Sequence, residues 1–173
     1  GRSKAFAAKL GIRFDRKDTR LALALGGFTY GVSPMQVSAA YATFARGGTY
    51  VNPSLILKIA DRDGNTVYEY KPQPERVMSQ GNAFILTSML ESVVTDGTGK
   101  HLGTLNMPIA AKTGTVGDTV GNRDIWMAAY NPAYAASIWI GYDDGRRISD
   151  EDASGGTYPA ELLRLIFQHI YEG

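Results

Sequence analysis

Residues 109–142 read IAAKTGTVGDTVGNRDIWMAAYNPAYAASIWIGY. Three apolar, β-prone runs lie within them, Ile109–Thr115, Asp124–Tyr130 and Ala135–Tyr142, with Asn131-Pro132 marking the turn between the second and third. Short spacing between successive strands means antiparallel pairing, since a parallel pair needs a crossover of a dozen residues or more. This stretch therefore predicts an antiparallel sheet.

The chain on either side supplies helices. Toward the C-terminus a polar loop, RRISDEDASGG, leads into Pro159–Tyr171, where Leu162, Leu163, Ile166, Phe167 and Ile170 form an apolar stripe at helical spacing. Upstream, Gln80–Thr95 predicts a second amphipathic helix, capped by Ser79, with Leu86, Met89, Leu90 and Val93 on one face. Earlier still, Ser33-Pro34 with Gln36 spells a capping box with proline at the first helical position. Val37, Ala40, Tyr41 and Phe44 follow as its buried face, and Gly47-Gly48 ends it. Residues 54–70 read as a hairpin, SLILKIAD and TVYEY joined by Asp63-Gly64-Asn65. Residues 1–12 read as the end of a helix stopped by Gly11. The fold class expected is α+β, an antiparallel sheet flanked by helices.

Composition excludes several classes of function. The 173 residues suit one domain, and 18 basic against 17 acidic residues leave a net charge of +1 with no basic stripe for nucleic acid. The absence of cysteine removes disulfides, a zinc ribbon and a thiol nucleophile. His101 and His169 are isolated, so neither a metal centre nor a Ser-His-Asp triad is expected. The longest apolar stretch, near Ala133–Gly141, is too short to span a bilayer, and no leader pattern opens the chain. A membrane anchor is expected only outside these residues.

Chemistry concentrates at Lys112-Thr113-Gly114-Thr115. On a strand Lys112 and Gly114 share one face, and Thr113 and Thr115 the other. A strand edge meeting an anionic acyl substrate needs such parts. A lysine supplies positive potential and assists proton transfer. Two hydroxyls bind a carboxylate, glycine admits the substrate backbone, and an edge N–H points at a developing oxyanion. A lysine and two threonines also suit any exposed sheet edge, so context must decide.

That context is a resemblance. Lys-Thr-Gly is one signature of the serine acyl-transferases, the penicillin-binding proteins and β-lactamases. LALGGFTYGVSPMQVSAAYATFARGGTYVNP from Leu23, KTGTVGDTVGNRDIWMAAYNPAYAASIWIGYDD from Lys112 and GGTYPAELL from Gly155 resemble, in order, the C-terminal part of the transpeptidase domain of class A penicillin-binding proteins. The resemblance implies that residues 1–173 are the C-terminal portion of one such domain. It implies catalytic roles for Lys112 and for the Thr115 N–H, as half of an oxyanion hole. Thr113, Gly114 and Thr115 would bind substrate, and Thr29 or Tyr30 would lie at the site's rim. The implied substrates are D-Ala-D-Ala stem peptides and β-lactams, outside the cytoplasmic membrane, with no metal or organic cofactor. A β-lactamase, a β-lactam sensor or a non-catalytic peptide-binding module are the alternatives.

The family's other two motifs are missing. No serine in these residues is followed three positions later by lysine, or two later by asparagine. Tyr50-Val51-Asn52 imitates the second motif but falls where the family has an ordinary connection. The resemblance places both absent motifs upstream, so the chain alone is expected to be inactive for want of a nucleophile. It is also expected to leave apolar faces that the N-terminal part of the domain, or another chain, covers. Two smaller expectations concern the sheet: Asn122, Arg123 and Asp124 fix its hairpin by ion pairing, and Trp126 and Trp139 are core residues.

Overall fold

The computed structural model describes residues 1–19 and 21–172. Its elements in chain order are α1 (Arg2–Lys9), α2 (Pro34–Ala45), β1 (Thr49–Tyr50), β2 (Lys58–Ala60), β3 (Thr66–Glu69), β4 (Glu75–Arg76), α3 (Gln80–Thr95), β5 (Ala110–Asp118), β6 (Gly121–Tyr130), β7 (Ala135–Gly141) and α4 (Tyr158–Glu172). Two 3-10 turns, Leu21–Leu25 and Lys100–Leu105, join them. The architecture is the expected α+β one.

The organising unit is the antiparallel sheet β5-β6-β7, with β5 at one edge. Gly114 pairs with Trp126, and Trp126 with Trp139, so both registers meet at mid-sheet. β5 and β6 continue to Asp118 and from Gly121, beyond the expected ends at Thr115 and Asp124, through a register shift between Val116 and Gly117. The polar residues there hide a strand whose tip stands in solvent and needs no apolar alternation. The Asn131 turn forms as expected. Its Oδ1 accepts hydrogen bonds from Ala133 N (3.0 Å) and Tyr134 N (2.8 Å).

Helices cover both faces. On one, Val94, Leu102, Ile109, Ala111, Met127, Ala129, Leu163 and Phe167 make the larger core. On the other, Leu90, Ala110 and Tyr130 pack with Tyr41, Phe44 and Leu86 from α2 and α3. Tyr41 and Tyr130 meet edge-on at 6.1 Å between ring centroids.

The capping box of α2 is complete. Ser33 Oγ accepts from Gln36 N (3.3 Å), and Gln36 Oε1 accepts from Ser33 N (2.9 Å). Three expectations need correction. α3 buries Ala83, Leu90 and Val94, leaving Met89 exposed, because Leu90 and Val94 are the α3 side chains that enter the two cores. α4 buries Pro159, Ala160, Leu163 and Phe167, while Leu162, Ile166 and Ile170 face outward, so its apolar stripe is wider than the surface available here. The first hairpin strand begins at Lys58, not Ser54. Ser54 Oγ bridges Ile56 O (2.7 Å) and Ile56 N (3.2 Å), a local turn that competes with strand pairing.

Candidate functional site

Edge position is what makes β5 available. With β6 on one side only, the other side of Lys112-Thr113-Gly114-Thr115 has no strand partner among the described residues. The expected alternation holds. Lys112 and Gly114 pair with Ala128 and Trp126 on the α2–α3 face, while Thr113 and Thr115 pair with Met127 and Ile125 on the α4 face.

Each side chain has a defined surrounding. Lys112 is exposed, and its Nζ donates to Thr113 O at 3.0 Å. Among the described residues it has no ion-pair partner. Gly114 lies against Trp126. A Cβ there would sit 3.2 Å from that of Trp126, so glycine keeps the strand surface low over the indole. Thr113 Oγ1 is 2.7 Å from Thr98 Oγ1, and Thr115 Oγ1 accepts from Gly155 N at 3.1 Å.

Two of these partners escape sequence reading. Thr98 sits in the glycine-punctuated loop after α3, fifteen positions from Thr113, and Gly155 lies forty positions beyond Thr115. No local pattern links them. Gly155 is buried so tightly on the strands that a Cβ would lie 2.3 Å from Trp126 O and 2.7 Å from Gly114 O.

The expected ion pairs at residues 122–124 are replaced by hydrogen bonds to uncharged partners. Asn122 Nδ2 donates to Ala153 O (2.8 Å), and Asp124 Oδ1 accepts from Trp139 Nε1 (2.9 Å). The hairpin's ion pair is instead Arg147 with Asp118. Asp124 thus holds a half-buried Trp139 beside Trp126, with ring centroids 6.3 Å apart, so both indoles flank the site face rather than fill the core.

Thr29 is exposed, and its polar groups are engaged by Asp18. Asp18, only 5% exposed, accepts from its hydroxyl at 2.6 Å and its N–H at 2.8 Å. The Thr29 hydroxyl, above all, holds the Asp18 carboxyl below its ordinary range. Tyr30 beside it is exposed. Tyr50 belongs to β1, paired to β4, with its hydroxyl 3.4 Å from Asn52 Oδ1.

A hollow of about 110 Å³ opens near Thr87, Glu91, Pro108, Ala110 and Tyr130. It lies at the start of β5, away from the Lys112–Thr115 edge. No helix of the described residues is long and apolar enough to cross a membrane.

Residues 12–168 match the family described as the penicillin binding protein transpeptidase domain. The chain is 38% identical over 164 residues to Penicillin-binding protein 1F of Bacillus subtilis (strain 168), covering 91% of this chain and 22% of that protein. It is 33% identical over 163 residues to Penicillin-binding protein 1A of Clostridium botulinum (strain Langeland), covering 92% and 19% respectively. It therefore spans about a fifth of the length of these curated relatives. In fold it is similar to the penicillin-binding protein PonA1 from Mycobacterium tuberculosis, with TM-score 0.81 at 22% identity over 96% of this chain and 48% of that one. Penicillin-Binding Protein 1A from Haemophilus influenzae gives 0.79 at 22% identity, over 94% and 30%. PonA1 also has a structure in complex with penicillin V.

Proposed function

Because this chain belongs to the penicillin-binding-protein transpeptidase family, we propose that the protein carrying it is a peptidoglycan DD-transpeptidase. A serine outside these residues attacks the penultimate carbonyl of a D-Ala-D-Ala stem peptide, D-alanine leaves, and the acyl group passes to an amine on a neighbouring strand. β-Lactams acylate the same serine. The observation that carries the reading is a Lys-Thr-Gly-Thr segment on an open sheet edge within the family match.

Substrate lying along that edge meets Lys112 from one face and the motif hydroxyls from the other. Lys112 supplies positive potential and assists proton movement at the serine. Thr113 and Thr115 donate to the substrate carboxylate, and Gly114 lets the peptide approach. The Thr115 N–H stabilises the oxyanion. The reaction runs outside the cytoplasmic membrane.

Residues 1–173 act as the C-terminal portion of the domain, and an N-terminal portion of the same domain completes it. The outward apolar residues Phe84, Ile85 and Met89 on α3, and Leu162, Ile166 and Ile170 on α4, support that partner.

The experiment is labelling with a fluorescent penicillin, run on the intact protein and on residues 1–173 alone. The expected result is a covalent adduct on the first and none on the second. An unlabelled intact protein, or an adduct on the isolated chain, refutes the corresponding part of the proposal.

A further inference from the structure

The two motif hydroxyls share an arrangement that the motif itself does not explain. Each is met by a group outside β5: Thr115 Oγ1 by Gly155 N at 3.1 Å, and Thr113 Oγ1 by Thr98 Oγ1 at 2.7 Å. A threonine hydroxyl has one proton and two lone pairs. The Gly155 N–H can only donate. It occupies a lone pair of Thr115 and leaves that proton free.

At the second position the direction of the bond is adjustable, since either hydroxyl can donate. A carboxylate beside Thr113 only accepts. It accepts a hydrogen bond from the Thr113 hydroxyl, and Thr98 must then donate to Thr113. A hydroxyl that accepts one hydrogen bond is a stronger donor in the next.

We propose that Thr98 is a positioning residue of the transpeptidase site, which, with the Gly155 N–H at Thr115, turns the motif hydroxyls into paired donors selective for a carboxylate-bearing acyl substrate. The inference rests on the functional reading above and deepens it. Thr98 touches no reacting atom and acts through Thr113. The close seat of Gly155 on Gly114 and Trp126 keeps the second donor in place.

The test compares two substrates within one protein. In the intact protein, the second-order acylation rates of benzylpenicillin and of its methyl ester are measured for wild type, Thr98→Val and Thr98→Ser. Thr98 bonds to a neutral hydroxyl, and its effect on the carboxylate passes through Thr113 by mutual polarisation of the two bonds. A few-fold change in rate follows, rather than the larger loss of a direct bond to charge. Thr98→Val is therefore expected to lower the acid-to-ester rate ratio about threefold, and Thr98→Ser to restore it. Because each ratio comes from one preparation, a partly unfolded variant does not distort it. Equal slowing of acid and ester, with the ratio unchanged, assigns Thr98 a purely structural role and overturns the proposal. A wild-type protein acylated by neither compound instead brings down the functional reading, and the proposal with it.

Discussion

Arg147 grips Asp118 in a bidentate pair across the tip of the β5–β6 hairpin, with Nη2 2.7 Å from Oδ2 and Nε 3.1 Å from Oδ1. The hydrogen bond from Arg147, ahead of the other contributions, lowers the Asp118 carboxyl to about 2. The pair ties the loop after β7 to the far end of the motif strand. A carboxyl whose pKa is depressed on folding stabilises the fold above its unfolded value of about 3.9, and that contribution fades as pH falls through the folded value. Titration of the Asp118 carboxyl by NMR is expected to show a midpoint near 2. In Arg147→Ala the midpoint returns toward the ordinary carboxylate range. An unmoved midpoint shows that the guanidinium is not the cause.

Tyr130 and Tyr41 make the opposite pH prediction. Thr87 gives its proton to Ala83 O (2.8 Å), so its 2.8 Å contact with Tyr130 Oη is donated by the tyrosine. Tyr130→Phe deletes that bond in a residue only 2% exposed and is expected to cost about 1 kcal/mol in chemical denaturation. Burial pushes the Tyr41 hydroxyl up to about 12. A raised pKa means that the folded state keeps the proton longer. Stability from this group is complete below the unfolded value of about 10 and declines as pH rises toward 12. Spectroscopic titration of tyrosinate should lose a late-ionising component in Tyr41→Phe.

How much of this was legible in the sequence depended on how local the signal was. The box of Ser33 and Gln36 spans three residues and could be read outright, as could the Asn131 turn. The alternation of Lys112 and Gly114 against Thr113 and Thr115 follows from strand geometry once β5 is recognised. Contacts set by tertiary folding were not legible. Thr98 reaches Thr113, and Arg147 reaches Asp118, only because loops distant in sequence converge on one strand. Helix faces were half legible. Periodicity identified α4 as amphipathic, but its stripe is wide enough to bury either Leu163 and Phe167 or Leu162 and Ile166, and only the width of the sheet beneath decides.

That choice of face gives a stability prediction. Phe167 is 1% exposed at the centre of the larger core, whereas Ile166 next to it is 44% exposed. Phe167→Ala is expected to cost about 3–5 kcal/mol through lost transfer energy and a cavity. In residues 1–173 alone, Ile166→Ala should stay within about 0.5 kcal/mol. In the intact protein the Ile166 cost should rise, because the N-terminal portion proposed above would cover that stripe. Denaturant midpoints of both variants in both contexts check this, and an Ile166 effect that is equally small in the intact protein argues against coverage of α4.

The last prediction separates two reasons for a glycine. Gly64, in the turn between β2 and β3, has φ +86° with nothing within 4 Å of a Cβ position, so its only requirement is a left-handed backbone. Gly64→Ala should cost about 1–2 kcal/mol by that strain alone and leave the rest of the fold untouched. Gly155 is the reverse case. Its φ lies outside the left-handed region, but an added Cβ would run into the carbonyls of Trp126 and Gly114, which belong to paired strands and cannot turn aside. Gly155→Ala must therefore lift the loop off β5, at a cost of about 1–3 kcal/mol. The lift also breaks the bond from Gly155 N to Thr115 Oγ1. Hydrogen exchange distinguishes the two variants. In Gly155→Ala the residue-155 amide should lose protection while the amides of β2 and β3 keep theirs. A protected amide at position 155 shows that the sheet, rather than the loop, has given way.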